Sequence, residues 1–214
     1  MTLDNMIIVF EGTDGSGKGT QAKKLLDYFL AKNKKAVLLD FPHYNTPTGK
    51  LIYDYLHGKE KLLPIEVAKL FYNDQLAQKN NLINLQRNGI IVILDRYVLS
   101  TKVYQGANYE GKERYDLMET ISGWQKNLPK DDLTIVFDLP VENSIERIIK
   151  RGRVMDNHEK NKEYLGKVHD LYIETAEKLN YPIIKCVTNA YEKTVDEIFK
   201  EVLRIVKEKT GLIF

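Results

Sequence analysis

Phe10-Glu11-Gly12-Thr13-Asp14-Gly15-Ser16-Gly17-Lys18-Gly19-Thr20 lies between two segments of different periodicity. Ahead of it, Met6-Ile7-Ile8-Val9 is a continuous apolar run of the kind that forms a buried strand. Behind it, Ala22, Leu25, Leu26, Phe29 and Leu30 follow the spacing of one helix face. A glycine-rich turn joining a strand to a helix points several backbone N–H groups into one small volume. The helix N-terminus adds partial positive charge there, so the turn can hold a polyphosphate. Gly12, Gly17 and Lys18 meet the G-x-x-x-x-G-K pattern, and Lys18 supplies the full charge that reaches the outer phosphates. Gly19 stands where Ser or Thr normally reaches Mg²⁺, although Thr20 keeps a hydroxyl one place later. A glycine-rich turn that binds nothing is the competing reading, and the strand and helix on either side weigh against it.

Outward from this turn, apolar β-type runs recur at residues 6–10, Ala36–Leu39, Ile90–Leu94, Leu133–Leu139 and Ile183–Val187. They are too continuously apolar for a sheet with one wet face and suit a parallel sheet covered by helices on both sides. Helical patterns occupy Pro64 to about Arg87, Val141 to about Lys150 and about Glu159 to Leu179. The last helix carries Val195, Ile198, Phe199, Val202 and Val206 on one face. Pro64 and Leu139-Pro140 mark helix starts, and Asn88-Gly89 marks an end. With 214 residues and no repeat or linker, residues 1–214 are read as one α/β domain.

Composition narrows the partners. The 32 basic and 30 acidic residues nearly balance, so no global basic field calls for nucleic acid. Positive potential for a phosphate must be built locally. The single cysteine, Cys186, excludes an intramolecular disulfide and is read as a packed core thiol. No apolar run approaches the ~20 residues of a membrane span, and no basic n-region precedes the first apolar stretch. A cytoplasmic protein without membrane contact is the expectation.

A second candidate element is Ile90-Ile91-Val92-Ile93-Leu94-Asp95-Arg96-Tyr97. It puts a carboxylate and a guanidinium at the C-terminal end of a buried strand, the edge where open α/β sheets bind ligands. Asp95 can hold Mg²⁺ through its water shell, and the Arg96 fork can clamp a second phosphate. Asp40 and Asp138 also end apolar runs, so the acid alone says little, and a structural Asp–Arg pair capping the strand remains open. The polar segment from Lys150 to Lys160 reads equally as a solvated loop or as a flap that closes basic side chains over phosphates.

Phe10-Glu11-Gly12-Thr13-Asp14-Gly15, Phe41-Pro42, Asp95-Arg96-Tyr97 and Tyr104-Gln105-Gly106 follow one another as in thymidylate (dTMP) kinases. The chain resembles that family from about residue 6 to its last helix. The resemblance implies a P-loop kinase fold, with a parallel five-stranded sheet flanked by helices and a small lid near residues 150–160. It also implies transfer of the γ-phosphoryl of ATP to dTMP with Mg²⁺, and a homodimer.

By the same resemblance, ATP would lie on Gly12, Thr13, Asp14, Gly15, Ser16, Gly17, Lys18, Gly19 and Thr20, with Asp95 holding Mg²⁺ through water. The acceptor would meet Asp14 at its 3′-hydroxyl, Arg96 at its phosphate and Phe71 at its base. Phe41, Pro42, Gln75, Ser100, Tyr104 and Gln105 would complete that pocket. Phe71 also fits a helix core face with Val67 and Leu70. Gly15 resembles members that draw a catalytic cation from the lid, here Lys150, Arg151 or Arg153. Lys18, Asp95, Arg96, Arg151 and Arg153 are therefore the expected catalytic set. A nucleotide monophosphate is already an anion near neutral pH, so the chemistry is positioning and charge neutralisation. The histidines at 43, 57, 158 and 169 form no triad-like motif, and none is required.

Several positions depart from the family pattern. Gln75 replaces a base-contacting Arg, and Tyr44 stands where many members place an Arg for the acceptor phosphate. Asp156-Asn157-His158-Glu159 keeps the acids of Asp-Arg-x-Glu without its Arg. These changes bear on the choice of acceptor more than on phosphoryl transfer. Another P-loop kinase stays open: one acting on a different nucleoside monophosphate, or on a deoxynucleoside with Glu11 as base. A non-catalytic nucleotide-binding paralogue stays open as well. A guanine-reading switch does not fit, because Asn161-Lys162-Glu163-Tyr164 puts Tyr where N-K-x-D needs Asp.

Overall fold

The computed structural model describes residues 5–152 and 154–211. The chain runs β1 (Ile7–Gly12), α1 (Lys18–Ala31), β2 (Ala36–Asp40), α2 (Pro47–Leu56), α3 (Pro64–Ala77) and α4 (Lys79–Arg87). It continues through β3 (Ile91–Asp95), α5 (Val98–Gly106), α6 (Gly111–Gln125), β4 (Leu133–Asp138) and α7 (Val141–Lys150). The remaining elements are α8 (Lys162–Lys178), β5 (Ile183–Lys185), β6 (Val187–Thr188), β7 (Tyr191–Glu192) and α9 (Val195–Thr210).

β1 to β5 form one sheet in the order β2-β3-β1-β4-β5, with every neighbouring pair parallel. Side chains of β1, β3 and β4 are buried on both faces, which explains their unbroken apolar runs. One face packs on α1 and α9 through Phe10, Leu25, Phe29, Phe137, Ile198 and Val202. On the other, Val9, Val92, Leu94 and Tyr97 pack with Leu82 of α4, while Val136 meets Val168, Leu171 and Tyr172 of α8. The register aligns the carboxyl ends: Asp40 lies opposite Asp95, Phe10 opposite Asp95, and Gly12 opposite Phe137. The glycine-rich turn and the Asp95-Arg96 corner thus emerge side by side.

The structure departs from the sequence reading at three places. The helical stretch from Pro64 to Arg87 divides at Gln78 into α3 and α4. The run Ile183–Val187 leaves the sheet after Lys185. Its end pairs antiparallel with β7 across Asn189-Ala190, both at positive φ as a two-residue hairpin turn requires. Helices α2, α5 and α6 add to those the periodicity assigned. Cys186 is buried as expected, and burial pushes its thiol up to about 12. Among the described residues no helix is long and apolar enough to cross a membrane.

Candidate active site

The turn after β1 is built to leave donors open. Gly17, at the N-cap of α1, has φ 90° and gives the helix no side-chain cap, so the first N–H groups of α1 face outward. Gly15 has φ 82°, and a Cβ there would meet the Ser144 carbonyl at 2.7 Å; only glycine fits. Lys18 is buried, with Nζ donating to the Thr13 carbonyl at 3.2 Å. Burial lowers its pKa and Arg96 lowers it further, while Asp14, Asp95 and Glu11 oppose them. An anion arriving here would relieve both unfavourable effects.

Arg96 sits directly after β3 with φ 69°, its N–H held by the Phe10 carbonyl at 2.9 Å. That turn directs the guanidinium back over β1. Nη1 donates to the Gly12 carbonyl at 3.2 Å and to Ser100 Oγ at 3.1 Å, and Nη2 donates to Asp14 Oδ1 at 2.9 Å. Its carbon lies 5.1 Å from the Tyr104 ring centroid, and the Tyr104 hydroxyl donates to Asp14 Oδ2 at 2.8 Å. Burial alone would raise the Asp14 carboxyl, but Arg96 and then Lys18 hold it well below the usual carboxylate range.

Glu11 supports this arrangement from beneath. It is fully buried, and Oε1 accepts from the Tyr97 and Ser100 backbone N–H groups at 2.9 and 3.1 Å, capping α5 from β1. Its other oxygen accepts from the hydroxyls of Ser100 and Tyr172. Burial raises its pKa despite these bonds. Glu11 lies on neither cavity wall described below, and its oxygens are committed to α5 and Tyr172, so it is not placed to take a proton from a sugar hydroxyl.

Two cavities open on these groups. The first, of about 290 Å³, is walled by Asp14, Lys18, Phe41, Pro42, Phe71 and Arg96, and also by Asp95, Ser100, Tyr104 and Gln105. The second, of about 580 Å³, runs along Gly15, Ser16, Arg147, Glu192 and Lys193 to Val195 and Ile198 of α9. Gly17, Thr20 and Arg151 line both, so the two spaces meet beside Lys18 at the start of α1. Gly19 lies on the first wall, whereas Gly12 and Thr13 lie on neither.

Gln75 is not brought to either wall. It is buried, with Nε2 turned to the Tyr97 carbonyl at 3.0 Å. Arg151 is exposed at the mouth between the cavities, and Arg153 lies outside the described residues. Residues 156–159 of the flap are docked: the Asn157 N–H donates to the Leu56 carbonyl at 3.0 Å, and Asp156 and Glu159 cap each other's backbone. His158 stacks on Tyr104 with ring centroids 5.4 Å apart, and its pKa falls to about 4 through burial, with Arg96 adding to the effect.

Asp95 suits a hydrated divalent cation. Its Oδ1 is buried without a hydrogen-bond partner, and Oδ2 would lie 2.7 Å from a Cβ on Gly19. The missing side chain at Gly19 therefore makes room for the Asp95 carboxylate, and the exposed Thr20 lines the same cavity.

Sequence reasoning missed Arg147 and Ser144 of α7. Arg147 Nη1 donates to the Gly15 carbonyl at 3.1 Å while Nε and Nη2 reach Glu192 Oε1 at 2.9 and 2.7 Å. Ser144 Oγ donates to the Asp14 carbonyl. Helix α7 thus grips the glycine-rich turn.

Residues 10–198 match the family model described as thymidylate kinase. The thymidylate kinase of Desulfotalea psychrophila is 34% identical over 206 residues, covering 94% of each chain. A probable thymidylate kinase of Methanocaldococcus jannaschii is also 34% identical, over 96% of this chain and 97% of its own. A solved thymidylate kinase from Candida albicans superposes with a TM-score of 0.79 at 27% identity, covering 99% of this chain and 96% of that one.

Proposed function

This chain belongs to the thymidylate kinase family, and we propose that it transfers the γ-phosphoryl group of ATP to dTMP, giving ADP and dTDP. One observation carries the reading: Lys18 and Arg96 line one cavity, and Gly17, Thr20 and Arg151 line both it and a second groove. ATP would lie along the groove with its phosphates on the N–H groups of residues 15–20. The acceptor would lie in the first cavity with its phosphate toward Arg96 and its base toward Phe71. Asp14, already ionised through Arg96 and Lys18, offers an acceptor to a sugar hydroxyl.

The chain's own groups hold and neutralise. Lys18 takes charge on the phosphates of ATP, and Arg96 fixes the acceptor phosphate in line with them. Arg151 closes from the flap over the transferring group. Asp95, with Thr20, would hold Mg²⁺ through water; when bound, the ion neutralises charge between the outer phosphates. No side chain need act as a general base on an acceptor that is already anionic. The burial of Glu11 weighs against a deoxynucleoside acceptor, which would need one. We read residues 1–214 as one kinase domain whose lid covers about residues 150–160. A homodimer belongs to the same reading and is tested by light scattering.

The test is ADP release, coupled to NADH oxidation, with dTMP, dUMP, AMP, CMP and thymidine each offered as acceptor. Preference for dTMP is expected. Preference for thymidine or AMP, or ADP release unaffected by every acceptor, would overturn the proposal.

A further inference from the structure

Helix α7 meets the glycine-rich turn at two successive carbonyls. Ser144 Oγ donates to the Asp14 carbonyl, and Arg147 Nη1 donates to the Gly15 carbonyl at 3.1 Å. In a trans peptide the carbonyl of one residue and the N–H of the next point in opposite directions. Each bond from α7 therefore orients a donor as well as a carbonyl. The Gly15 N–H is turned away from Ser144, and among the described residues no acceptor takes it. The Ser16 N–H is turned onto the Thr13 carbonyl at 3.3 Å, which closes the turn over residues 13–16.

Arg147 is itself aimed. Its Nε and Nη2 donate to one oxygen of Glu192 at 2.9 and 2.7 Å, and the other oxygen accepts from Asn143 Nδ2 at 3.3 Å. One edge of the planar guanidinium is thus held by β7, which leaves Nη1 for Gly15. The same nitrogen lies 3.5 Å from where a Cβ on Gly17 would stand. Arg147 and Glu192 both line the second groove, yet the guanidinium is already engaged on two sides.

Resting on the ATP groove proposed above, we infer that Arg147, aimed by Glu192, is a positioning residue that presets the Gly15 peptide for the donor polyphosphate. Without that bond the Gly15–Ser16 peptide is free to rotate, as glycine permits, and the N–H groups of the turn no longer converge. A direct contact between Arg147 and a phosphate predicts the opposite at Glu192. Removing that carboxylate would then free the guanidinium, take a negative charge from the groove and tighten ATP binding.

The test is calorimetric binding of ATP, with Mg²⁺ in excess, and of dTMP to the wild-type protein and to Arg147→Met, Arg147→Lys, Glu192→Met and Arg147→Met/Glu192→Met. Arg147→Met should weaken ATP binding by roughly ten- to hundredfold, the loss of a charge-assisted bond, with dTMP binding held within about twofold. Arg147→Lys should recover little of this, because a point charge lacks the fork that serves Glu192 and Gly15 together. Glu192→Met should weaken ATP binding by roughly three- to tenfold, and the double variant should be no weaker than Arg147→Met. The Arg147 and Glu192 side chains are 25% and 45% exposed, so each melting temperature should fall by less than about 4 °C. Should Arg147→Met not fold, Arg147→Lys and Glu192→Met still decide.

Unchanged or tighter ATP binding in Glu192→Met would overturn the inference. So would full recovery in Arg147→Lys, or equal weakening of ATP and dTMP in Arg147→Met. A wild type that binds neither nucleotide would sink the donor and acceptor assignment itself, and this inference with it. Wild-type binding of both, with ATP affinity untouched by every variant, would sink the positioning role alone.

Discussion

Replacing Arg96 with Met keeps most of its length and removes its charge, leaving the Asp14 carboxylate with the Tyr104 hydroxyl and the weaker pull of Lys18. The Arg96 and Asp14 side chains are 15% and 21% exposed, so solvent compensates only slightly for the lost partner. Removing one member of a buried ion pair costs about 3–5 kcal/mol, and the residual exposure puts this case near about 3 kcal/mol. For a chain of this size that corresponds to a melting temperature lower by about 6–12 °C. Arg96→Met should show this drop in differential scanning fluorimetry. Asp14→Asn/Arg96→Met should be less destabilised than the sum of the two single variants, by at least about 1.5 kcal/mol, because no orphan charge remains.

The pH dependence carries a definite sign. In the wild type Asp14 is held below its ordinary 3.8, so the pair's stabilisation is present above that value and is lost as pH falls through the folded one. In Arg96→Met burial dominates and raises the carboxyl, so the variant loses stability as pH climbs. The gap between the two proteins should widen from about pH 3 to about pH 7. Equal melting temperatures at neutral pH, or strictly additive variants, would refute the pairing of Asp14 with Arg96 as the brace of this site.

Three further outcomes are expected. Arg151→Ala should lower kcat by roughly 10³-fold with less than about threefold change in either KM, read by steady-state kinetics. Asp95→Asn should raise the Mg²⁺ concentration for half-maximal rate by roughly tenfold or more, read by titrating the metal at saturating ATP. His169 is raised above 6.5 by its hydrogen bond to Asp138, at 2.9 Å. Its stabilisation is therefore full below 6.5 and lost as pH rises through the folded value. His169→Asn should remove that loss when urea midpoints at about pH 6 and about pH 9 are compared.

How far the sequence revealed the site depends on the range of each contact. The strand–turn–helix corner that brings Gly17 and Lys18 to the cavities could be read because it depends on spacing within one turn. Asp95-Arg96 could be read because both follow a buried strand whose end the sheet topology fixes. The grip of Arg147 on Gly15 spans 132 residues, and the cap of Glu11 on Ser100 spans 89. No local pattern records either contact. The hairpin at Asn189-Ala190 lacks the glycine that usually signals such a turn. Gln75 shows the limit most clearly: its position relative to Phe71 suggested a base contact, yet the Tyr97 carbonyl and Thr101 hold its amide away from the pocket.

The junction of the two cavities beside Lys18 can be probed with one molecule, adenosine and thymidine joined 5′ to 5′ through five phosphates. Titration into the wild-type protein should give one tight site per chain, abolished as a competitor of both ATP and dTMP when each is present in excess. A probe displaced by only one of the two nucleotides, or bound in two independent copies, would contradict a shared site at Lys18 and Arg96.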